Sequence, residues 1–258
     1  MQGHTVYHGI VSMFLRKILS CLLLGTALNS ANASVTLVGS RIIYPGTASS
    51  VDIQFKNGDN IPYLIQAWFD DGDVDAQPQQ ISSVPFIITP PVFRIQPKAG
   101  QVARVVFSQS RSLPQDRESM YWFNMLQIPP AEKTTTGKQN AMTVMLRNRI
   151  KLFYRPAGMG KPDNILQGIT VRSLFDKQRG NGIEIDNAQP WFASLVAVNL
   201  QVGQQTHLCD PEMVAPFSQQ TCWFPNTKQR LQGVGTVRID AINDQGARIS
   251  ERYSIHLP

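Results

Sequence analysis

The chain has 258 residues, of which 42% are hydrophobic, and its 24 Lys and Arg against 18 Asp and Glu give a formal net charge of +6. This size suits one large domain or two ordinary domains with packed cores. The basic excess is modest, and no block of Lys and Arg interleaved with aromatic residues marks a nucleic-acid groove. We therefore expect no nucleic-acid partner.

The N-terminal segment predicts export. Arg16 and Lys17 form a positive region, Ile18 to Leu28 is an apolar core too short to span a bilayer, and Ala31 to Ala33 is an A-x-A cleavage site. We expect residues 1–33 to be a cleavable signal peptide and the mature chain to have no stable membrane anchor. The sequence leaves open which methionine starts translation, Met1 or Met13.

Strand patterns fill the first half of the mature chain. Val51, Ile53 and Phe55 alternate with polar residues, for example, and Asn57-Gly58 ends that run. Turn signals at short intervals favour an antiparallel β-sandwich, and no stretch has a helical period. The predicted strands are Val35 to Tyr44, Val51 to Phe55, Tyr63 to Phe69, Val84 to Ile88, Val102 to Phe107, Met120 to Ile128 and Met142 to Phe153.

A stretch rich in Pro and Gly, "RPAGMGKPDN" from Arg155 to Asn164, predicts a linker or elbow. It divides the chain into residues 34–157 and residues 158–258. Strand patterns resume after it, so the second domain is also expected to be all-β. Its predicted strands are Ile165 to Leu174, Gly182 to Asp186, Phe192 to Val202, Gln205 to Cys209, Thr221 to Phe224, Val234 to Ile242 and Ala247 to Leu257.

Two cysteines remain once Cys21 leaves with the leader. In an exported chain, an even pair predicts one disulfide, here between Cys209 and Cys222, worth roughly 3 kcal/mol for so short a loop. Two free thiols are the alternative. A zinc site is not expected, because only His207 lies nearby and the cysteine spacing is wrong.

The segment "MTVMLRNRIKLFYRP", from Met142 to Pro156, combines an apolar stripe with many cations. One face carries apolar residues at alternate positions, and the rest of the segment is densely basic. On pattern alone, the apolar face would more often pack on the protein's own core, and the cations would lie in solvent. The apolar positions are Met142, Val144 and Leu146, and the cations are Arg147, Arg149, Lys151 and Arg155.

The search for a catalytic set finds none, so we expect a protein that is not an enzyme and has no cofactor. His207 and His256 are the only histidines after the leader, and motifs for hydrolases, metalloproteases and nucleotide binding are absent from the sequence. The acidic run "DDGDVD", from Asp70 to Asp75, is similar to a calcium loop but lacks the downstream Glu. A solvated hairpin turn is favoured there over a metal site.

The stretch "LPQDRESMYWFNMLQIPP", from Leu113 to Pro130, resembles the signature of the periplasmic pilus-assembly chaperones, the PapD/FimC-like family. The segments "RIIYPG", "PYLIQAWFD", "TPPVFRIQPKAGQVARV", "RIKLFYRP" and "INDQGA" are similar to other parts of that family's sequence. The resemblance thus covers most of the mature chain. The matching signature residues are Leu113, Pro114, Asp116, Arg117, Glu118, Ser119, Trp122, Asn124, Ile128 and Pro129.

The resemblance implies two immunoglobulin-like β-sandwich domains joined at an elbow in a boomerang shape. It implies a periplasmic chaperone that binds, folds and caps pilus or fimbrial subunits and delivers them to an outer-membrane usher. Such a chaperone lends a strand to a subunit that lacks its last strand, a known mode of peptide recognition. The resemblance leaves open whether the Thr89-Pro90 peptide bond is cis.

The resemblance also assigns site residues in three sets. Donor-strand plugs are expected at Met142, Val144 and Leu146. Arg41 and Lys151 match the pair that binds the subunit's C-terminal carboxylate, and an interdomain charge network is expected from Glu118, Arg155 and Asp244. No family role is implied for Arg147 and Arg149, which we expect to be solvated charges on the wet face of the strand.

Two other classes of function stay open at this point. An exported two-domain β-sandwich can be an adhesin or a carbohydrate-binding module, and the acidic "DDGDVD" turn is the best support for that alternative. An enzyme is the second rival, and the missing catalytic set argues against it.

Overall fold

The computed structural model describes residues 34–75, 84–131, 142–225 and 227–257. The leader predicted at residues 1–33 lies outside these ranges. Among the described residues, no helix has the length and apolarity to span a membrane. The strands are β1 (Val35–Leu37), β2 (Arg41–Pro45), β3 (Val51–Asn57), β4 (Tyr63–Asp70), β5 (Phe86–Thr89), β6 (Val92–Ile95), β7 (Gly100–Phe107), β8 (Ser119–Ile128), β9 (Leu146–Arg155), β10 (Ile169–Asp176), β11 (Gly180–Asn187), β12 (Leu195–Val202), β13 (Gln205–Cys209), β14 (Ser218–Trp223), β15 (Gly233–Ile242) and β16 (Arg248–Leu257).

The first sandwich has one sheet in the order β1-β3-β7-β5 and one in the order β2-β9-β8-β4-β6. β2 and β9 are parallel, and the other paired strands are antiparallel. Alternate side chains fill the space between the sheets, because successive residues of a strand point to opposite faces. This core is rich in aromatic residues, among them Tyr44, Phe55, Phe69, Phe86 and Phe123.

The second sandwich pairs the sheet β10-β11-β14 with the sheet β13-β12-β15-β16. Its core is separate from the first and mainly aliphatic, with Ile183, Leu200, Val237 and Ile239 fully buried. The predicted all-β fold with two sandwich domains is therefore confirmed. The boundaries at residues 157 and 158 stay a prediction.

Several predicted strands have different limits in the structure. The run from Val35 to Tyr44 is two strands, because the chain leaves one sheet after Leu37 and joins the other at Arg41. Gly39 makes this crossing with a φ of +99°, a conformation that glycine adopts without a Cβ penalty. The Thr89-Pro90 bond is cis and lies between β5 and β6.

The start of the second domain also differs from the prediction. Ile165–Gly168 forms a short 3₁₀ helix where a strand was predicted, and Asn164 caps it by accepting a hydrogen bond from the Leu166 N–H at 3.0 Å. Ile165 and Leu166 are buried in the core of the second sandwich. Their apolar character suggested a strand, but it reflects this burial within a helical turn.

The predicted disulfide between Cys209 and Cys222 is present, with the two Cα atoms 6.0 Å apart. Cys209 ends β13 and Cys222 lies in β14, so the bond joins the two sheets of the second sandwich. Both side chains are buried in the core of that sandwich.

Replacing both cysteines with alanine should lower the free energy of unfolding by about 3 kcal/mol, because the unfolded chain gains the entropy of an open loop. Urea denaturation of the oxidised wild type and of the double variant measures the difference. Reducing the wild type should reproduce the loss, and the reductant should have no effect on the variant. Equal stability of oxidised and reduced wild type would contradict this expectation.

Candidate functional site

The strand β9 has one edge that is only partly paired. β8 pairs with it from Leu146 to Tyr154, but β2 pairs only with Lys151 to Arg155. From Leu146 to Ile150, the β2 side of the strand therefore has no strand partner among the described residues. Such an edge presents N–H and C=O groups that can pair with a strand of another chain.

One face of this segment is apolar and open to solvent. Further along β9, Leu152 and Tyr154 point into the first core, and Ile150 packs against it. The alternate positions before them lie beyond the core. The exposed fractions are 91% for Met142, 65% for Val144 and 51% for Leu146. The simple expectation that this face packs on the protein's own core is therefore wrong.

Two cations meet at the other end of the unpaired edge. Arg41 and Lys151 are directly opposite each other in the parallel pair of β2 and β9. Arg41 Nη1 donates to the Ile242 carbonyl at 3.0 Å and to Ser194 Oγ at 3.4 Å, and its buried Nε has no hydrogen-bond partner among the residues that the structure describes. Across the described part of the chain, neither cation forms a salt bridge.

Partial burial and mutual repulsion disfavour the charged forms of Arg41 and Lys151 in the free protein. Burial lowers the pKa of Lys151, and the charge of Arg41 lowers it further. Burial also lowers the pKa of Arg41, against the opposing charges of Asp244 and Glu118. Two partly desolvated like charges attract an anion, because an anion would offset both the lost hydration and the repulsion.

The predicted network of Glu118, Arg155 and Asp244 comes together between the two sandwiches. Arg155 Nε and Nη2 donate to Glu118 Oε1 at 2.9 and 2.6 Å, and Arg155 Nη1 donates to Asp244 Oδ2 at 2.9 Å. The backbone N–H of Phe192 donates to Glu118 Oε2 at 2.8 Å, so Glu118 itself bridges the two sandwiches. Burial raises the pKa of Glu118, although Phe192 and Arg155 oppose the shift.

The expectation that Arg147 and Arg149 are solvated charges is wrong. Arg149 donates from Nε and Nη2 to both carboxylate oxygens of Asp70, which is fully buried. Arg147 donates from Nε and Nη2 to Asn124 Oδ1 at 3.0 and 2.7 Å. Both arginines lie on the outer face of their sheet, and buried partners hold them there.

The same contacts correct the expectation that the whole acidic run from Asp70 to Asp75 is a solvated turn. Asp70 is the last residue of β4 and is buried, whereas Asp71 and Asp73 are exposed. In the described ranges, no group of three or more His, Cys, Asp or Glu could hold a metal ion. The sequence signal for these contacts was the pair of tryptophans on neighbouring strands. Trp68 contacts the guanidinium of Arg147, and Trp122 contacts that of Arg149.

Comparison with known proteins identifies the family. Residues 34–160 match the model of the N-terminal domain of PapD, a pili and flagellar-assembly chaperone, and residues 169–253 match that of the C-terminal domain of the pili assembly chaperone PapD. The chain therefore belongs to the PapD family of pili-assembly chaperones. Membership in this family also confirms that the protein is not an enzyme.

The relatives are chaperones by name. The chain is 35% identical to the probable fimbrial chaperone YadV of Escherichia coli (strain K12), over 86% of this chain and 89% of that one. It is 37% identical to the chaperone protein HifB of Haemophilus influenzae, over 74% and 76%. A crystal structure of the YadV chaperone superposes with a TM-score of 0.72 at 32% identity, covering 86% of this chain and all of that one.

Lys151→Met should leave the fold about as stable as the wild type, because the variant removes a partly desolvated cation that repels Arg41 but also loses its contact with the Trp122 ring. In the folded wild type, the pKa of Lys151 lies below its ordinary value of 10.5, so the fold resists charging this group. As pH rises from the lowered pKa of Lys151 towards 10.5, the wild type should therefore gain stability relative to the variant.

Urea denaturation at neutral and alkaline pH measures this difference. Lys56→Met, at an exposed position of β3, is the control for the loss of a lysine at the surface. A clear loss of stability in Lys151→Met at neutral pH would contradict the expectation.

Proposed function

We propose that this protein is a periplasmic chaperone that binds, folds and caps pilus subunits by donor-strand complementation, and that it passes them to an outer-membrane usher. The observation that carries the proposal is the edge of β9 from Leu146 to Ile150, which has no strand partner in the described ranges and ends at two cations that form no salt bridge there. Family membership supplies the class of client, and the predicted leader supports the periplasmic location.

The apolar positions suit the role of plugs. Met142, Val144 and Leu146 share one face at a spacing of two residues, as an extended strand requires. Each would contribute roughly 1.5–3 kcal/mol if a subunit groove buried it fully. Backbone hydrogen bonds along the same edge would add affinity that depends little on the subunit's sequence.

Arg41 and Lys151 suit the role of a carboxylate anchor. The guanidinium of Arg41 offers a planar fork, and Lys151 adds a point charge beside it. From Lys151 to Leu146 the chain advances five residues, or about 17 Å along an extended strand. A subunit whose last carboxylate binds the cation pair would therefore have its register against the plugs fixed.

The network of Glu118, Arg155 and Asp244 suits a role in orientation. Its members lie on both sandwiches, and Arg155 and Glu118 are almost fully buried. A buried ionic triad of this kind contributes more to a defined geometry than to stability. Because Arg41 also bonds the second sandwich, a fixed domain angle would keep the anchor in place.

The adhesin or carbohydrate-binding alternative is not favoured. Its best support was the acidic turn, and the first carboxylate of that turn is buried against arginines of β9.

The plug role is tested by producing the mature chain together with a pilin encoded beside its gene. The wild type should keep the pilin soluble and co-purify with it. Leu146→Asp should reduce the recovered pilin more than tenfold, because a carboxylate would be buried in an apolar groove. Val102→Asp, at an apolar β7 position of similar exposure, is the control and should recover wild-type amounts. A pilin that aggregates with the wild type would contradict the proposed function.

The anchor role is tested with a synthetic peptide of the pilin's last strand, made as the free acid and as the C-terminal amide. The free acid should bind the wild type at least about tenfold more tightly, because only the acid can pair with Arg41 and Lys151. Arg41→Ala and Lys151→Ala should each remove this preference while the variants stay folded. Equal binding of acid and amide to the wild type would exclude the anchor.

A further inference from the structure

We term the segment Leu146–Ile150 of β9 the donor edge. Contacts other than pairing with a second strand must keep this segment extended. Of the strands that the structure describes, only β8 pairs with it, and Leu146 on its apolar face is 51% exposed. A strand segment with few buried contacts opens locally at low free-energy cost. Donation to a subunit, however, works best from a strand that is already extended, because ordering it on binding costs affinity.

A polar cluster on the opposite face of the sheet meets this need. Asp70 of β4 is fully buried, and its carboxylate accepts hydrogen bonds from Arg149 of β9 and from Asn124 Nδ2 of β8 at 2.6 Å. Arg147 bonds the same Asn124, and its Nη1 donates to the Val74 carbonyl at 2.7 Å. The cluster therefore spans three strands and holds two side chains of the donor edge.

Aromatic rings reinforce the same arrangement. The guanidinium of Arg149 lies 4.2 Å from the ring centroid of Trp122, and that of Arg147 lies 5.0 Å from that of Trp68. Stacking on a ring favours one orientation of a planar guanidinium. The ring contacts and the bonds to Asp70 and Asn124 thus restrain the same two arginine side chains.

We infer that Asp70 is a positioning residue for subunit capture: through Arg149 and Asn124 it keeps the donor edge extended, and it touches no subunit itself. Its side chain lies on the sheet face opposite the plug at Leu146, so it does not compete with a bound client. The inference rests on the proposed function, since an ordered donor edge matters only if the strand is donated.

The first arm of the test needs no client. Asp70→Asn keeps the size of the side chain but removes the charge that both arginines face. Hydrogen–deuterium exchange at residues 146–150 of the free chain should speed up about tenfold or more, while the core of β8 stays protected. The control is Asp52→Asn, which breaks the exposed pair with Arg104 on the other sheet and should leave the donor edge unchanged. Unchanged exchange in Asp70→Asn would overturn the inference.

The second arm measures capture of the pilin encoded beside the gene. Asp70→Asn should weaken capture by roughly tenfold, mostly through slower formation of the complex, because the edge must be ordered first. Arg149→Lys keeps the charge but loses the fork, and it provides a milder variant should Asp70→Asn unfold. Combining the two substitutions should weaken capture less than the product of the single effects, because both act through one contact.

The outcomes separate the inference from the proposed function. Faster exchange with unchanged capture would overturn the positioning role, and so would fully independent effects of the two substitutions. Failure of the wild type to capture the pilin would overturn the proposed function itself, and the role of Asp70 in capture with it. The exchange arm would still report whether Asp70 orders the strand.

Discussion

One constraint dominates this structure: β9 must belong to the protein's own sheet and still offer an edge to another chain. Within the described residues, its second half is paired on both sides by β2 and β8, and its first half is paired on one side by β8. The transition occurs at Lys151, where β2 begins to pair. The same strand therefore provides core residues at one end and an open apolar edge at the other, with a cation pair between them. An open apolar edge also favours aggregation, so its order and charge have to be controlled.

The cations of β9 divide into three groups by their partners. Arg155 is buried between Glu118 and Asp244 and connects the two sandwiches. Arg147 and Arg149 bind Asn124 and Asp70 on the outer face. Lys151 lies beside a second cation, Arg41, and over the ring of Trp122, and among the described residues neither cation forms a salt bridge. Because the three arginines of the strand form salt bridges, its one cation without a salt bridge in the described structure lies where a carboxylate is proposed to bind.

The sequence predicted the class of fold, since period-2 alternation and frequent turn signals are local features. It failed where the burial of a residue depends on distant strands. The apolar pair Ile165 and Leu166 suggested a strand but forms a 3₁₀ helix under the second sandwich. Asp70 was assigned to a solvated turn, and its burial follows from arginines about eighty residues further along the chain.

The central claim is that alternate residues before β9 enter a subunit, and site-specific cross-linking tests it most directly. A photoreactive amino acid is placed at Val144 or at Thr143, and each protein is illuminated in complex with the pilin encoded beside its gene. Neighbouring residues of an extended strand point to opposite faces. Position 144 should therefore cross-link to the pilin core, and position 143 should give little product. Equal cross-linking from the two positions, or none from position 144, would contradict the account.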